Sequence, residues 1–186
     1  MSQPVLAAAQ RLAERHALAT ASMDEIAREA GISRVTLYRR GETRAAILAA
    51  LRDELAREER DLLLPILAGD GDARARLTRA LEALCASTDA RADLLGGLDA
   101  AARDAIYHEA GEEALTRSEF AAPIVRLLRD GALDGSLRAF GDVEEAATVL
   151  YNQVCWTFTH LRREHRWSAE HATRAVIDLA VGGVRP

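Results

Sequence analysis

The sequence SMDEIAREAGISRVTLYRR, residues 22–40, contains two short helical patterns separated by a tight turn. Ser22 with Glu25 three residues later forms the capping-box pattern, which predicts that a helix begins directly after Ser22. Gly31 provides the backbone freedom that a chain needs to leave a helix, and Ser33 is a second N-cap that opens the next one. Because this spacing is typical of a DNA-binding helix-turn-helix unit, DNA is the expected partner.

The two helices are predicted to share an inner face. Ile26 and Ala27 recur at helical spacing, and Leu37 lies on the side of the second helix that can return to them. The small side chain of Ala27 allows the helices to approach closely, and Ile32 fills the corner between them. The remaining side chains of the second helix are left to point mostly outward: Arg34, Thr36, Tyr38, Arg39 and Arg40.

Residues 4–50 resemble the N-terminal DNA-binding domain of the TetR family of transcriptional repressors, in which a capped second helix, a Gly turn and a T-L-Y recognition helix follow one another. Two positions depart from the family pattern: Gly41 stands where an aromatic residue is common, and His16-Ala17-Leu18 replaces a Gly–aromatic turn, so the join after the recognition helix is expected to differ. The matching residues are Ser22, Ile26, Ala27, Ala30, Gly31, Ile32, Ser33, Thr36, Leu37, Tyr38, Thr43 and Arg44.

The resemblance implies a dimer that reads an inverted repeat, since one short helix reads only a few base pairs. Arg34 and Thr36 are the candidates for base contact, because arginine can bond guanine bidentately and a threonine methyl can meet the methyl of thymine. Tyr38 and Arg44 are expected to contact phosphates. The complete predicted DNA-binding set is Ser22, Ser33, Arg34, Thr36, Tyr38, Arg39, Thr43 and Arg44.

Composition predicts an all-α fold. The chain has 186 residues, of which 49% are hydrophobic and 28% charged, as in ordinary globular proteins. Valine, isoleucine and threonine never form an alternating run, so strands are not expected. We predict about nine helices in two domains: a three-helix helix-turn-helix domain over residues 1–44, and a helical ligand-binding and dimerisation domain over residues 45–186.

The net charge of −5 is unevenly distributed. Through Arg44 the chain has 7 arginines and 5 acidic residues, whereas the remainder has 17 arginines and 24 acidic residues. Phosphate contact depends on the local charge, so the positive N-terminal part agrees with the motif it contains. All 24 basic residues are arginine, which together with the alanine excess suggests GC-rich coding and a bacterial source.

The body is predicted to consist of buried helices. Thr43 caps a long helix that runs to about Leu64, before Pro65, and shorter helical patterns cover residues 72–87, 89–98, 101–113 and 118–130. The last two helices, at about 142–164 and 168–181, carry apolar residues on two faces, and the resemblance implies that one of these faces packs in a four-helix bundle with a second copy. The expected interface comprises Val143, Ala147, Leu150, Val154, Leu161, Ala172, Ala175, Val176 and Leu179.

The resemblance also implies that a small molecule binds inside the body and shifts the long fourth helix, so that the two reading heads no longer match the DNA. Polar and aromatic side chains that interrupt apolar faces are the candidates for contact with such a ligand. Asn152 stands out, because its neighbours are apolar. The predicted set is Tyr107, Phe120, Tyr151, Asn152, Cys155, Trp156 and Thr159.

Several other kinds of site find no support in the sequence. His160, His165 and His171 do not share a helical face, so no metal is expected, and no phosphate loop, nucleophile elbow or cofactor motif is present. Cys85 and Cys155 have no metal or redox spacing and are expected in the core. No apolar run reaches the length of a membrane span, which predicts a cytoplasmic protein.

The sequence therefore predicts a homodimeric transcription regulator, a repressor released from an inverted-repeat DNA operator by a small-molecule effector. One alternative is a helix-turn-helix regulator controlled by a protein partner or by cysteine oxidation. Another is a small helical enzyme in which the N-terminal pattern is accidental. Retention of specific DNA at elevated salt separates both regulators from the enzyme, because non-specific binding collapses there.

Overall fold

The computed structural model of the protein describes residues 1–15, 18 and 20–186. Over these residues it is all-α without a β-strand, which confirms the predicted class. Ten helices are present there, and the expected turn at His16-Ala17 lies outside the described residues. The helices are α1 (Gln3–Glu14), α2 (Met23–Glu29), α3 (Arg34–Arg39), α4 (Arg44–Leu67), α5 (Ala73–Ala90), α6 (Ala92–Gly96), α7 (Ala100–Tyr107), α8 (Ser118–Asp134), α9 (Val143–Arg163) and α10 (Ala169–Gly182).

The chain divides into two compact units. The first comprises Met1–Ala56 and Arg91–Glu109, and the second comprises Arg57–Ala90 and Ala110–Pro186. The first unit therefore includes the helix-turn-helix, the first half of α4, and the helices α6 and α7 from the middle of the chain. A domain boundary at residue 44 stays a prediction of the sequence, since contacts group residues 45–56 with the N-terminal helices.

In the first unit, α1 packs against α2 and α6, and α2 packs against α3. Val5, Ile26 and Leu37 are completely buried, so the inner face predicted for the helix-turn-helix is the one that the fold uses. The carboxylate of Glu29 ties α2 to α1 by accepting from Arg11 Nε at 2.8 Å and Arg15 Nη2 at 2.7 Å. These two arginines lower the pKa of Glu29.

In the second unit, α5, α8, α9 and α10 pack against one another around an apolar core. The loop after α8 caps α5: Asp134 Oδ2 accepts from the Ala73 amide at 2.8 Å, and Ser136 Oγ accepts from the Arg74 amide at 3.1 Å. At the other end of α5, Arg162 of α9 donates to both carboxylate oxygens of Asp89, at 2.7 and 3.2 Å. Side-chain bonds thus satisfy two amides at the start of α5 and tie the end of the helix to α9.

Several predicted helix boundaries differ from the structure. α5 continues to Ala90, so the helix predicted from residue 89 begins only at Ala92. α4 continues past Pro65 to Leu67, and α8 continues through Gly131 to Asp134, where Gly135 stops it with a φ of 75°. Gly131 lies inside α8, and its missing side chain leaves room for Leu137. α7 ends at Tyr107 rather than near residue 113, since His108 is extended. Within the described part of the chain, no helix is both long and apolar enough to cross a membrane.

Candidate nucleic-acid interface and effector site

The capping box predicted at the start of α2 is confirmed. The amide of Glu25 donates to Ser22 Oγ at 3.2 Å, and the amide of Ser22 donates to Glu25 Oε2 at 2.7 Å. Both groups of Ser22, its amide and its hydroxyl, lower the pKa of Glu25. The start of α2 therefore satisfies two amides that would otherwise lack intrahelical partners.

The turn between α2 and α3 is a Schellman motif. Gly31 has a φ of 69°, its amide donates to the Arg28 carbonyl at 3.1 Å, and the Ile32 amide donates to the Ala27 carbonyl at 3.0 Å. This pair of bonds occupies carbonyls at the end of the helix, and its left-handed residue favours glycine. The conformational freedom predicted for Gly31 is therefore used.

The same motif ends α3, at the position where the sequence departs from the family pattern. Gly41 has a φ of 68°, its amide donates to the Tyr38 carbonyl at 2.9 Å, and the Glu42 amide donates to the Leu37 carbonyl at 3.2 Å. Glu42 is only 5% exposed, and its Oε1 accepts from the amide of Ser2 at 3.0 Å. The join after α3 is thus made by a glycine turn and a buried glutamate that holds the start of α1.

Helix α3 presents a mixed polar and apolar outer surface. Ser33 caps the helix by accepting from the Thr36 amide at 3.1 Å, and its hydroxyl lies 2.9 Å from Thr36 Oγ1. Tyr38 is 51% exposed, and Arg39 and Arg40 are exposed as well. Sequence reasoning missed Val35, which is 75% exposed although apolar. Its helical phase was available as a signal, because Val35 lies two residues from the inward Leu37 and so faces the opposite side.

Arg34, at the first position of α3, is held by two neighbours. Its Nη1 donates to Asp24 Oδ2 at 2.9 Å, which links α3 to the first turn of α2. Its guanidinium carbon lies 5.3 Å from the centre of the Tyr38 ring, within cation–π range. Tyr38 and Asp24 both raise the pKa of Arg34, so the side chain is a permanent cation on an exposed surface.

Arg44 has a different environment from the one that the phosphate assignment requires. Its guanidinium donates to the Leu18 carbonyl at 2.7 Å and to the Ala21 carbonyl at 3.1 Å. The side chain therefore joins the start of α4 to the segment that precedes α2. Thr43 caps α4 by accepting from the Ala46 amide at 3.1 Å. These contacts favour a positioning role for Arg44, and its contact with phosphate stays a prediction.

In the second unit, Asn152 is the centre of a hydrogen-bond network. Its Nδ2 donates to Thr116 Oγ1 and to the Thr148 carbonyl, both at 2.8 Å, and its Oδ1 accepts from Trp156 Nε1 at 2.9 Å. The amide of Thr116, which is 4% exposed, donates to Thr148 Oγ1 at 3.1 Å. Both ends of the Asn152 amide are thus bonded: Nδ2 attaches the segment before α8 to α9, whereas Oδ1 accepts a bond within α9.

Tyr151 and Glu59 form a buried polar pair. The hydroxyl of Tyr151 donates to Glu59 Oε2 at 3.1 Å, and the two residues are 6% and 5% exposed. The ring of Tyr151 lies 6.3 Å from that of Phe120, between centroids. Burial raises the pKa of the Cys155 thiol, and the negative charge of Glu59 acts in the same direction.

The predicted effector residues are not all brought together. Tyr107 belongs to the first unit, whereas the other six belong to the second. Trp156 is 43% exposed, and Thr159 donates its hydroxyl to the Cys155 carbonyl at 2.8 Å, a bond within its own helix. An open groove of about 710 Å³ lies between α5, α9 and α10, and none of the predicted residues lines it. Of the predicted residues, Phe120 and Tyr151 are both buried, and their rings lie next to each other.

Most of the predicted dimer residues are covered within one protomer. Leu179 is 74% exposed, and Val143, Leu161 and Ala175 are half-buried. The apolar side chains that point outward from α9 are instead Val149, 58% exposed, and Trp156. Val149 and Leu179 line one groove of about 400 Å³, together with Phe140. The buried members of the predicted set are Ala147, Leu150, Val154, Ala172 and Val176.

Comparisons with known proteins agree with this architecture. Residues 5–51 match the sequence model of the family described as "Bacterial regulatory proteins, tetR family". No curated protein matches the chain.

Solved structures with the same fold include the transcriptional regulator FadR from Bacillus subtilis in complex with stearoyl-CoA, which is 16% identical with a TM-score of 0.74 and 98% of each chain covered. SmeT, the repressor of the Stenotrophomonas maltophilia multidrug efflux pump SmeDEF, is 16% identical with a TM-score of 0.71, covering 99% of this chain and 90% of SmeT. A TetR/AcrR-family regulator from Thermobifida fusca YX-ER1 is 20% identical with a TM-score of 0.63, covering 98% of this chain and 97% of that one.

The capped helix-turn-helix and the all-α body together form the fold that these solved structures share, and the matching family and the similar structures are regulators rather than enzymes. The family match covers the helix-turn-helix, so residues 5–51 are similar in sequence to the DNA-binding part of tetR-family regulatory proteins.

Proposed function

We propose that this chain is a homodimeric repressor that binds an inverted-repeat DNA operator in the bacterial cytoplasm and is released by a small-molecule effector. The observation that carries the proposal is the outer surface of α3, where exposed arginines, Val35 and Tyr38 stand on a helix whose ends are both fixed by hydrogen bonds. A rigid short helix with exposed cations and an apolar contact fits the major groove.

Charge supports this orientation toward DNA. The segment through Arg44 has an excess of 2 positive charges, whereas the whole chain has a net charge of −5. Phosphates attract the positive helix-turn-helix and repel the acidic body. The overall acidity of the chain is therefore compatible with DNA binding.

The DNA assignment is tested by selecting bound duplexes from a random pool and measuring affinity for the selected operator. Arg34→Ala and Thr36→Ala are expected to relax preference at one base pair each, at a cost of about 1–3 kcal/mol. Arg126→Ala, which removes an exposed arginine of α8 that pairs with Asp130, is the matched control and should leave affinity unchanged. Unchanged affinity and unchanged preference in both α3 variants would contradict the assignment.

Dimerisation is proposed to use the outward surface of α9 and α10, which we call the Val149–Leu179 surface. These two side chains are exposed and apolar and line one groove, so a second copy can bury them. The double variant Val149→Glu, Leu179→Glu should sediment as a monomer and lose operator affinity, because one reading head covers only one half-site.

Leu133→Glu is the control for that experiment, since it places the same charge at a leucine of α8 that is 88% exposed. It should remain dimeric. A dimeric Val149→Glu, Leu179→Glu variant would show that the interface lies elsewhere.

The effector site is proposed to lie in the second unit, near the buried pair of Tyr151 and Phe120. Polar atoms enclosed by apolar side chains are suited to orient a small molecule, and the similar FadR structure was solved with stearoyl-CoA. Screening for compounds that raise the melting temperature, with stearoyl-CoA as the first probe, tests this site. A compound that stabilises the protein should also release it from the operator. If no compound raises the melting temperature or releases the protein from DNA, the result would favour control by a protein partner.

Control by cysteine oxidation is disfavoured by the state of the thiols. Cys85 and Cys155 are not joined in a disulfide. Burial raises the pKa of Cys85 to about 12, and burial raises that of Cys155 as well. Since the thiolate is the reactive form, both side chains are poor redox sensors at neutral pH.

A further inference from the structure

We propose that Asp24 is a specificity-determining residue that positions Arg34 for base contact and disfavours DNA of the wrong sequence. This inference rests on the proposed DNA-binding function. It starts from an acidic side chain, 48% exposed, that lies 2.9 Å from the arginine proposed to contact a base. Asp24 is on α2 and Arg34 on α3, so the pair spans the two helices of the motif.

The contacts of Arg34 restrict its guanidinium while leaving donors available. Asp24 Oδ2 accepts from Nη1, and the ring of Tyr38 lies 5.3 Å from the guanidinium carbon. A guanidinium has five N–H donors, and a bidentate contact with guanine needs only two of them. Arg34 can therefore bind a base while it keeps its bond to Asp24, and less conformational entropy is lost on binding.

Stability does not account for this pair. Exposed ion pairs contribute little to folding, and 61% of the Arg34 side chain is exposed as well. Asp24 also lies in the first turn of α2, where a negative charge is favourable, but this role needs no contact with Arg34. The link to Arg34 is what connects Asp24 to recognition.

The charge of Asp24 acts differently on operator and non-operator DNA. On an operator, Arg34 binds its base and continues to neutralise the carboxylate. On other sequences no base accepts Arg34, so the arginine turns to phosphates and leaves an exposed negative charge beside the DNA backbone. Because like charges repel, non-specific binding loses more than operator binding.

The test is a double-mutant cycle with Asp24→Asn, Arg34→Ala and the double variant. Affinities for the operator selected by the wild-type chain and for a random duplex are measured over a range of salt concentrations. Asp24→Asn should weaken operator binding by about threefold and strengthen random-duplex binding by about threefold, so the specificity ratio falls about tenfold. In the Arg34→Ala background, the same substitution should change that ratio by less than about twofold.

Asp61→Asn is the matched control, because Asp61 is also an exposed aspartate paired with an arginine, at 3.5 Å from Arg57. It removes the same charge outside the helix-turn-helix and should leave the ratio unchanged. If Asp24→Asn strengthens binding to both duplexes equally, the residue acts only as a charge and the proposal is overturned. Equal weakening of both together with a lower melting temperature would assign Asp24 to folding and overturn it too.

The outcome for the wild-type chain separates this proposal from the function on which it rests. If the wild-type protein selects no sequence from the random pool, the DNA-binding function itself fails. If it selects an operator and Asp24→Asn leaves the specificity ratio intact, only the role of Asp24 is refuted.

Discussion

Gly97 lies where the end of α6 approaches the backbone of α1 closely, so its replacement by alanine should destabilise the protein. Gly97 follows α6 with a φ of −82°, a conformation that alanine adopts without strain. A Cβ at this position would lie 1.8 Å from the Ala13 carbonyl oxygen and 2.6 Å from its carbonyl carbon. The obstacle is therefore the main chain of α1, which cannot rotate away as a side chain can.

The expected cost follows from the shift required. An ordinary Cβ contact begins at 3.4 Å, so α1 and the end of α6 have to separate by more than 1 Å. Forcing apart a well-packed contact costs about 2–4 kcal/mol when a backbone has to move. At about 2–4 °C per kcal/mol for a chain of this size, the melting temperature should fall by about 4–16 °C.

Circular dichroism melts of Gly97→Ala and of two comparison variants measure this effect. Gly182→Ala, at a helical glycine where an added methyl group would meet no other atom within 4 Å, should be neutral or stabilising. Adding Ala13→Gly to Gly97→Ala should give no rescue, because the obstructing atoms belong to the main chain. A Gly97→Ala protein that melts within about 1 °C of the wild type would refute this account of the contact.

Three further predictions concern the core and the helix-turn-helix. Gly131→Ala should lower the free energy of unfolding in urea by about 1–3 kcal/mol, because the new Cβ would lie 2.4 Å from Leu137 Cδ1. An unchanged urea midpoint would show that Leu137 repacks without cost. Tyr151→Phe should lower the free energy of unfolding by about 1–3 kcal/mol, because it removes a hydrogen-bond donor to buried Glu59. Tyr38→Phe, at an exposed tyrosine, should leave this free energy unchanged. Equal effects of the two variants would show that the buried hydrogen bond does not stabilise the fold. Glu25 and Glu29 have lowered pKa values in the folded protein. Their contribution to folding stability is therefore present above the ordinary glutamate pKa of about 4.5, and it is lost as the pH falls through their lower folded pKa values. Melting temperatures should therefore drop below that pH, and less steeply in Ser22→Ala, which lacks the hydroxyl bonded to Glu25; parallel pH profiles would rule out the capping box as a source of this dependence.

Much of the helix-turn-helix could be predicted from the sequence, because its signals are local. The cap at Ser22 and the turn at Gly31 each depend on backbone groups within a few residues, and the structure shows the bonds that these residue types make. The burial of Ile26 and Leu37 follows from helical periodicity. The departure at Gly41 was visible as well, although not the way in which Glu42 completes the join with Ser2, 40 residues away.

The candidate site was less predictable where a polar side chain can form hydrogen bonds with more than one kind of partner. Arg44 matches a phosphate-binding position, yet the carbonyls of Leu18 and Ala21 accept its hydrogen bonds. Asn152 stands out as polar among apolar neighbours, and the structure uses its amide to join Thr116 to α9. Composition and spacing show that such groups need partners, but not which partners lie within reach.

The sequence by itself determined most of the helices, the caps and turns of the helix-turn-helix, and the separation of positive and negative charge, since all of these depend on residues close together in the chain. Only the tertiary structure decided which apolar side chains of α9 stay exposed. α9 carries apolar residues on more than one side, and contact with α5, α8 and α10 buries Ala147, Leu150 and Val154 while leaving Val149 outside. Periodicity identifies an apolar face, whereas the burial of that face depends on which other helix packs against it. Contacts between distant parts of the chain decide this packing.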